Sequence, residues 1–166
     1  MSKYSLILLS ALLGCLVSGG SAGALRLDSN EIRVVRDIHV FAAQHPGLRI
    51  QPMDMHIVPG KARAGSLSVR YNLGARISSD TLVYQTADTF EFPRNQDVSV
   101  QLDYPEKPGD KSAALSYVEL TCTQDASDGT AYVVAGGIGQ RYISIVLEAK
   151  NTKNFSYQAL YYGQWI

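Results

Sequence analysis

The feature that most constrains this chain is an alternation of apolar and polar residues with period two. Leu67, Val69, Tyr71 and Leu73 alternate with Ser68, Arg70 and Asn72, and Val98, Val100 and Leu102 alternate with Ser99 and Gln101. Ile143, Ile145 and Leu147 repeat the pattern near the C-terminus. Side chains that point to opposite faces of a strand give this period, whereas a helix needs apolar residues three and four apart. Leu82 to Tyr84 and Leu115 to Leu120 add shorter strand candidates, and Tyr132 to Ala135 reads as another. Turn residues separate them, in Pro105 to Asp110 and in Asp125 to Gly129. The polar run from Lys150 to Asn154 reads as a further turn, with Phe155 to Tyr162 returning as the hairpin partner of Ile143 to Leu147. Short strands at this spacing predict a mainly β protein, a single antiparallel sandwich or barrel-like domain.

The N-terminus follows another logic. Lys3, the apolar run from Leu6 to Val17 and Ala22-Gly23-Ala24 have the order of a secretory signal peptide with a small-residue cleavage site. The run is too short to span a bilayer, which needs roughly 20 apolar residues, so no membrane span is expected. The sequence thus divides into a signal peptide at 1–24, an N-terminal extension of uncertain structure at 25–70 and a β domain at 71–166. Within the extension Val34, Val35, Ile38, Phe41 and Ala42 share one helical face, which predicts a short helix stopped by Pro46-Gly47. The expected destination is secretion to the extracellular space.

Of two cysteines, Cys15 leaves with the signal and Cys122 remains. Cys122 is therefore a free thiol or the link in a disulfide-joined oligomer, since no internal partner remains. Without Lys3 the mature chain carries 14 basic against 15 acidic residues. That balance lacks the basic excess that direct nucleic-acid binding draws on. The expected partner is instead an unknown extracellular protein or small ligand. Asn154-Phe155-Ser156 is an N-glycosylation sequon, placing a candidate sugar at Asn154.

Several motifs fail on context. Ala135-Gly136-Gly137-Ile138-Gly139 would need a following helix to cradle a phosphate, yet Arg141 to Ile145 reads as a strand. Gly136, Gly137 and Gly139 are better read as structural turn glycines. His39, His45 and His56 lack the paired spacing of a zinc site, and no nucleophile elbow frames a serine. The expectation is a protein without metal, cofactor or catalytic residues, hence not an enzyme.

A series of motifs in the C-terminal half resembles the multiprotein bridging factor 2 family of insects. It begins with Leu73-Gly74-Ala75-Arg76 and Asp80-Thr81-Leu82-Val83, similar to the family's G-x-R followed by G-D-x-L-V. Asp128-Gly129-Thr130-Ala131-Tyr132, the glycine segment from Ala135 to Gly139 and the ending from Asn154 to Gly163 come next in the family's order. Ser79 stands where the family has a glycine before the aspartate. The resemblance implies one of two functions. Many relatives look like small secreted proteins of haemolymph, saliva or venom, and the signal peptide aligns this chain with a secreted binding protein of that type. The founding member is described as a transcriptional coactivator bridging a nuclear receptor and the basal machinery, which is the alternative.

Overall fold

A computed structural model describes residues 49–58, 65–107 and 109–165, together with Ile38, Ala42 and Ala43. The described residues form seven strands: β1 (Gln51–Pro52), β2 (Asp54–Ile57), β3 (Leu67–Gly74), β4 (Thr81–Tyr104), β5 (Ala114–Gln124), β6 (Gly129–Gly136) and β7 (Ile143–Gln164). The protein is mainly β, as the alternation predicts. The helix expected at 34–42 lies largely outside the described residues, of which Ile38, Ala42 and Ala43 have helical backbone.

All pairings are antiparallel, and the order is β1-β6-β7-β5-β3-β2 with β4 on the other side of β7. β7 is the axis. Its first half pairs with β6 and its second half with β5, while β4 accompanies it from Thr81 opposite Gly163 to Tyr104 opposite Ile143. Residues 51–57 and 67–70, which the sequence pattern assigns to the extension, contribute strands to this same sheet.

The predicted hairpin at Lys150 to Asn154 does not form. β7 runs through those residues, and its two halves face each other as layers rather than pairing edge to edge. The polar run makes a kink instead of a turn. Asn151 takes a positive φ of 50°, a conformation asparagine accepts more readily than most residues. The backbone groups displaced there find partners across the sheet. The Asp125 carboxylate accepts from the amides of Lys153 at 2.9 Å and Asn154 at 2.8 Å, and the buried Thr152 hydroxyl donates to the Asn154 carbonyl at 2.7 Å. β4 breaks register at the same level, between Glu91 and Val98. Bulges of this kind bend and twist a strand.

The bend lets one core form. Tyr84 and Tyr104 lie at opposite ends of β4, 20 residues and about 66 Å apart if the strand were straight. Their ring centroids are 5.7 Å apart, and Tyr161 packs against both at 5.4 and 5.5 Å. The sheet therefore curls into a nearly closed, barrel-like shape. Val69, Tyr71, Leu120, Cys122 and Phe155 from one half share its interior with Val98, Leu102, Ile143, Ile145 and Leu147 from the other. On the outer face of β6 and β7, Val134 and Val146 form a smaller cluster with Ile38.

Candidate interaction surface

At one end of the barrel three segments distant in sequence meet. The first succeeds β3. Gly74 turns the chain with φ of 77°, and a side chain there would run into the Ser116 carbonyl and the Ile138 side chain. Glycine is required on both counts. The Ala75 amide then donates to that Ser116 carbonyl at 3.1 Å.

Next comes an ionic latch. The Asp80 side chain is withdrawn from solvent, and Arg76 contributes Nε and one terminal nitrogen to Asp80 Oδ1, both at 2.8 Å. Asp80 Oδ2 accepts from the Ile77 amide at 2.9 Å and from the Ser116 hydroxyl at 2.8 Å. The Arg76 guanidinium also lies 3.7 Å from the centroid of the Tyr162 ring, a cation–π arrangement. Burial alone would raise the Asp80 pKa. The hydrogen bonds from Ile77, Ser116 and Arg76 together outweigh it and hold the carboxyl below its usual range. Asp80 is thus an ionised group whose acceptors are already occupied, which suits it to fixing a loop.

The second segment is the glycine corner between β6 and β7. Gly136, Gly137 and Gly139 all have positive φ, at 68°, 144° and 80°. At Gly136 an added side chain would also collide with the Tyr142 carbonyl, whereas Gly137 and Gly139 have open space around them. Gly137 donates to the Tyr142 carbonyl at 3.1 Å. The corner is clasped to the start of β5, because Gly139 donates to the Leu115 carbonyl at 2.7 Å and the Leu115 amide to Gln140 at 2.9 Å. The third segment is the end of β7, where Gly163 packs closely on Ala114 and the Gln164 amide group bonds the Ser79 hydroxyl.

Around this framework lie bulky apolar side chains left in water. Ile77, Leu82, Ile138, Tyr142 and Trp165 are each exposed at 40% or more. Leu82 is paired with Tyr162, the residue on which Arg76 stacks. Large apolar groups gathered at one end of a fold mark a surface suited to contact. Met55 and Ile57 are also exposed, but on β2 at the far edge of the sheet.

The other residues singled out by sequence lie elsewhere. Cys122 is inside the core with no exposed surface, and burial pushes its thiol pKa up to about 12. Asn154 is exposed, with its side-chain amide donating to Asp125 at 3.2 Å. His56 is on exposed β2, and His39 and His45 are outside the described residues. Among the described residues no three His, Cys, Asp or Glu side chains gather as a metal site, and no helix is long and apolar enough to cross a membrane. Sequence reasoning reaches the Gly74-x-Arg76 and Asp80 motif only through the family resemblance. It misses Ser116 and Tyr162, which no local pattern connects to that turn.

These motifs are the ones by which the chain compares with known proteins. The model of a family described as transcription activator MBF2 matches residues 73–163. The chain belongs to the multiprotein bridging factor 2 family. The match opens on the strand end that carries Gly74 and closes on Gly163, so Arg76, Ile77, Asp80, Leu82 and the glycine corner fall within the family region and Trp165 lies just beyond it. No curated protein and no solved structure matches the chain. The family corrects one expectation. Residues 1–24, which lie outside the described residues, predict a secreted, extracellular protein, whereas a family of transcription activators points to the nucleus. The expected sugar on Asn154 rests on that same secretory reading.

Proposed function

We propose that this member of the multiprotein bridging factor 2 family acts in transcription as a coactivator. In this reading it bridges a nuclear receptor and the basal machinery by binding proteins, not by catalysis. The observation that carries the reading is the family match over residues 73–163, whose family is described as a transcription activator. The barrel end supports it physically. Ile77, Leu82, Ile138, Tyr142 and Trp165 offer apolar area for a protein contact, and the Arg76–Asp80 latch holds the loop that presents Ile77. Interfaces draw most of their binding energy from a few such bulky groups on a rigid support.

The test is an activator-dependent transcription reaction supplied with the purified protein. Transcript yield should rise, and the double substitution Ile77→Asp and Leu82→Asp should abolish the rise while leaving the melting temperature nearly unchanged, because both sites are exposed. Absence of stimulation by the unaltered protein would refute the coactivator reading. Stimulation that survives the double substitution would move the contact to another surface.

A further inference from the structure

A pocket of about 420 Å³ opens beside the glycine corner, between the end of β4, the loop after it and the start of β7. Its size falls within the roughly 300–1,000 Å³ of small-ligand sites. Pro105 supplies apolar wall, Tyr142 an aromatic one, and Asp103, Asp110 and Arg141 the charges. The fold explains why these residues meet. Tyr104 points into the core, so its neighbour Asp103 lies on the outer side of β4, and the turn closed by Asp110 N–H on the Lys107 carbonyl at 3.2 Å brings a second carboxylate. Gly109, at φ of 90°, makes that turn.

The Asp103 carboxylate is held in place. Gln101 Nε2 donates to both of its oxygens at 3.2 Å and to the Ser144 hydroxyl oxygen at 3.1 Å. A carboxylate offers about four acceptor positions, so one amide group leaves it capacity for another donor. Two carboxylates against one guanidinium give the lining an excess of negative charge, set in a mostly apolar wall. An acidic ligand would meet that excess, and a purely apolar one would leave the carboxylates without compensation. A cation on an aliphatic stem satisfies both features, with the Tyr142 ring available to its charge.

We propose that this pocket binds the ammonium or guanidinium head of an aliphatic cation, its stem lying along Pro105. The site stands apart from the transcription reading, and its test does not depend on transcription. Four probes are titrated into the full-length protein by calorimetry and by amide NMR: hexylammonium, hexanol, hexanoate and N-acetyl-lysine N-methylamide. Hexylammonium should saturate one site, shift the amides of Gly109, Tyr142 and Ser144, and bind about tenfold tighter than hexanol, the scale of one charge-assisted hydrogen bond. Hexanoate should bind more weakly than hexanol. Asp103→Asn and Asp110→Asn should each weaken hexylammonium about tenfold, and the remote Lys153→Ala should leave it unchanged. If the lysine derivative binds as well as hexylammonium, the natural occupant is a basic side chain of a protein. If only hexylammonium binds, it is a free amine. Equal binding of hexanol and hexylammonium, shifts at another surface, unaltered affinity in both aspartate variants, or no saturable binding would each overturn the proposal.

Discussion

Asp80 shows how one buried charge couples a loop to the rest of the barrel. Its carboxylate accepts from Arg76, Ile77 and Ser116, and Ser116 lies 36 residues away on β5. The folded state therefore favours the ionised form, and the linkage has a definite sign. A depressed folded pKa contributes stability that is complete above the unfolded carboxylate value, near about 3.9, and lost as pH falls through the folded value. Asp80→Asn should lower the melting temperature at neutral pH and flatten its decline below about pH 4. The decline will not vanish, because Asp125 is also held low by the Asn154 and Lys153 amides. Thermal melts of both proteins across the acid range check this, and an unchanged acid limb would show that Asp80 contributes nothing to acid sensitivity. Tyr161 presents the opposite case. Its hydroxyl is buried with no hydrogen-bond partner among the described residues, so they leave its desolvation cost uncompensated. Tyr161→Phe should be neutral or stabilising by about 1 kcal/mol in urea melts, while the ring contacts with Tyr84 and Tyr104 persist.

At the scale of elements, the faces of the strands were legible and their continuity was not. Val69 and Tyr71, Val98 to Leu102, and Ile143 to Leu147 put their apolar members inside, because the two-residue period fixes which face is buried. After the glycine corner, where Gly136, Gly137 and Gly139 have positive φ, the alternating residues from Ile143 form the start of β7. The run from Lys150 to Asn154 misled because it has the composition of a turn. Its amides are satisfied from other parts of the chain, Asn151 by the Asp97 carboxylate and Lys153 and Asn154 by that of Asp125, and those partnerships have no local signature. The exposed apolar end was equally hidden, since Ile77, Leu82, Ile138 and Trp165 are scattered in sequence and meet only through pairing with β7 and β5. Two pairs of substitutions separate the roles of kink and corner. Asn151→Gly should change stability by less than about 0.5 kcal/mol, whereas Asn151→Val should cost roughly 1–3 kcal/mol for a β-branched residue at positive φ. In the corner Gly136→Ala should cost more than Gly137→Ala, because only the first adds a collision with the Tyr142 carbonyl to the backbone strain. Chemical denaturation of the four variants gives both orderings.

For the molecule as a whole, the bend in β4 and β7 has an energetic consequence. The two halves of the sheet do not own separate cores. Cys122 on β5 and Leu147 on the first half of β7 lie in one cluster, although they belong to opposite layers. A protein built this way should open its interior as a unit, so damage in one layer should expose side chains in the other. Cys122 provides the reporter. It is fully buried, and its thiol, with pKa near 12, is both inaccessible and protonated at neutral pH. A thiol reagent should therefore label it only through opening, when the unfolded thiol regains ordinary reactivity. Leu147→Ala should cost about 2–5 kcal/mol, which at 1.4 kcal/mol per tenfold corresponds to labelling of Cys122 faster by roughly 30-fold or more. Amide exchange at Ile145 should accelerate by the same factor, provided that reclosing outpaces both reactions. If Ile145 exchanged faster while Cys122 kept its protection, the layers would open independently and the shared core would not be the cooperative unit. Equal acceleration would mean that the two layers open together as one cooperative unit.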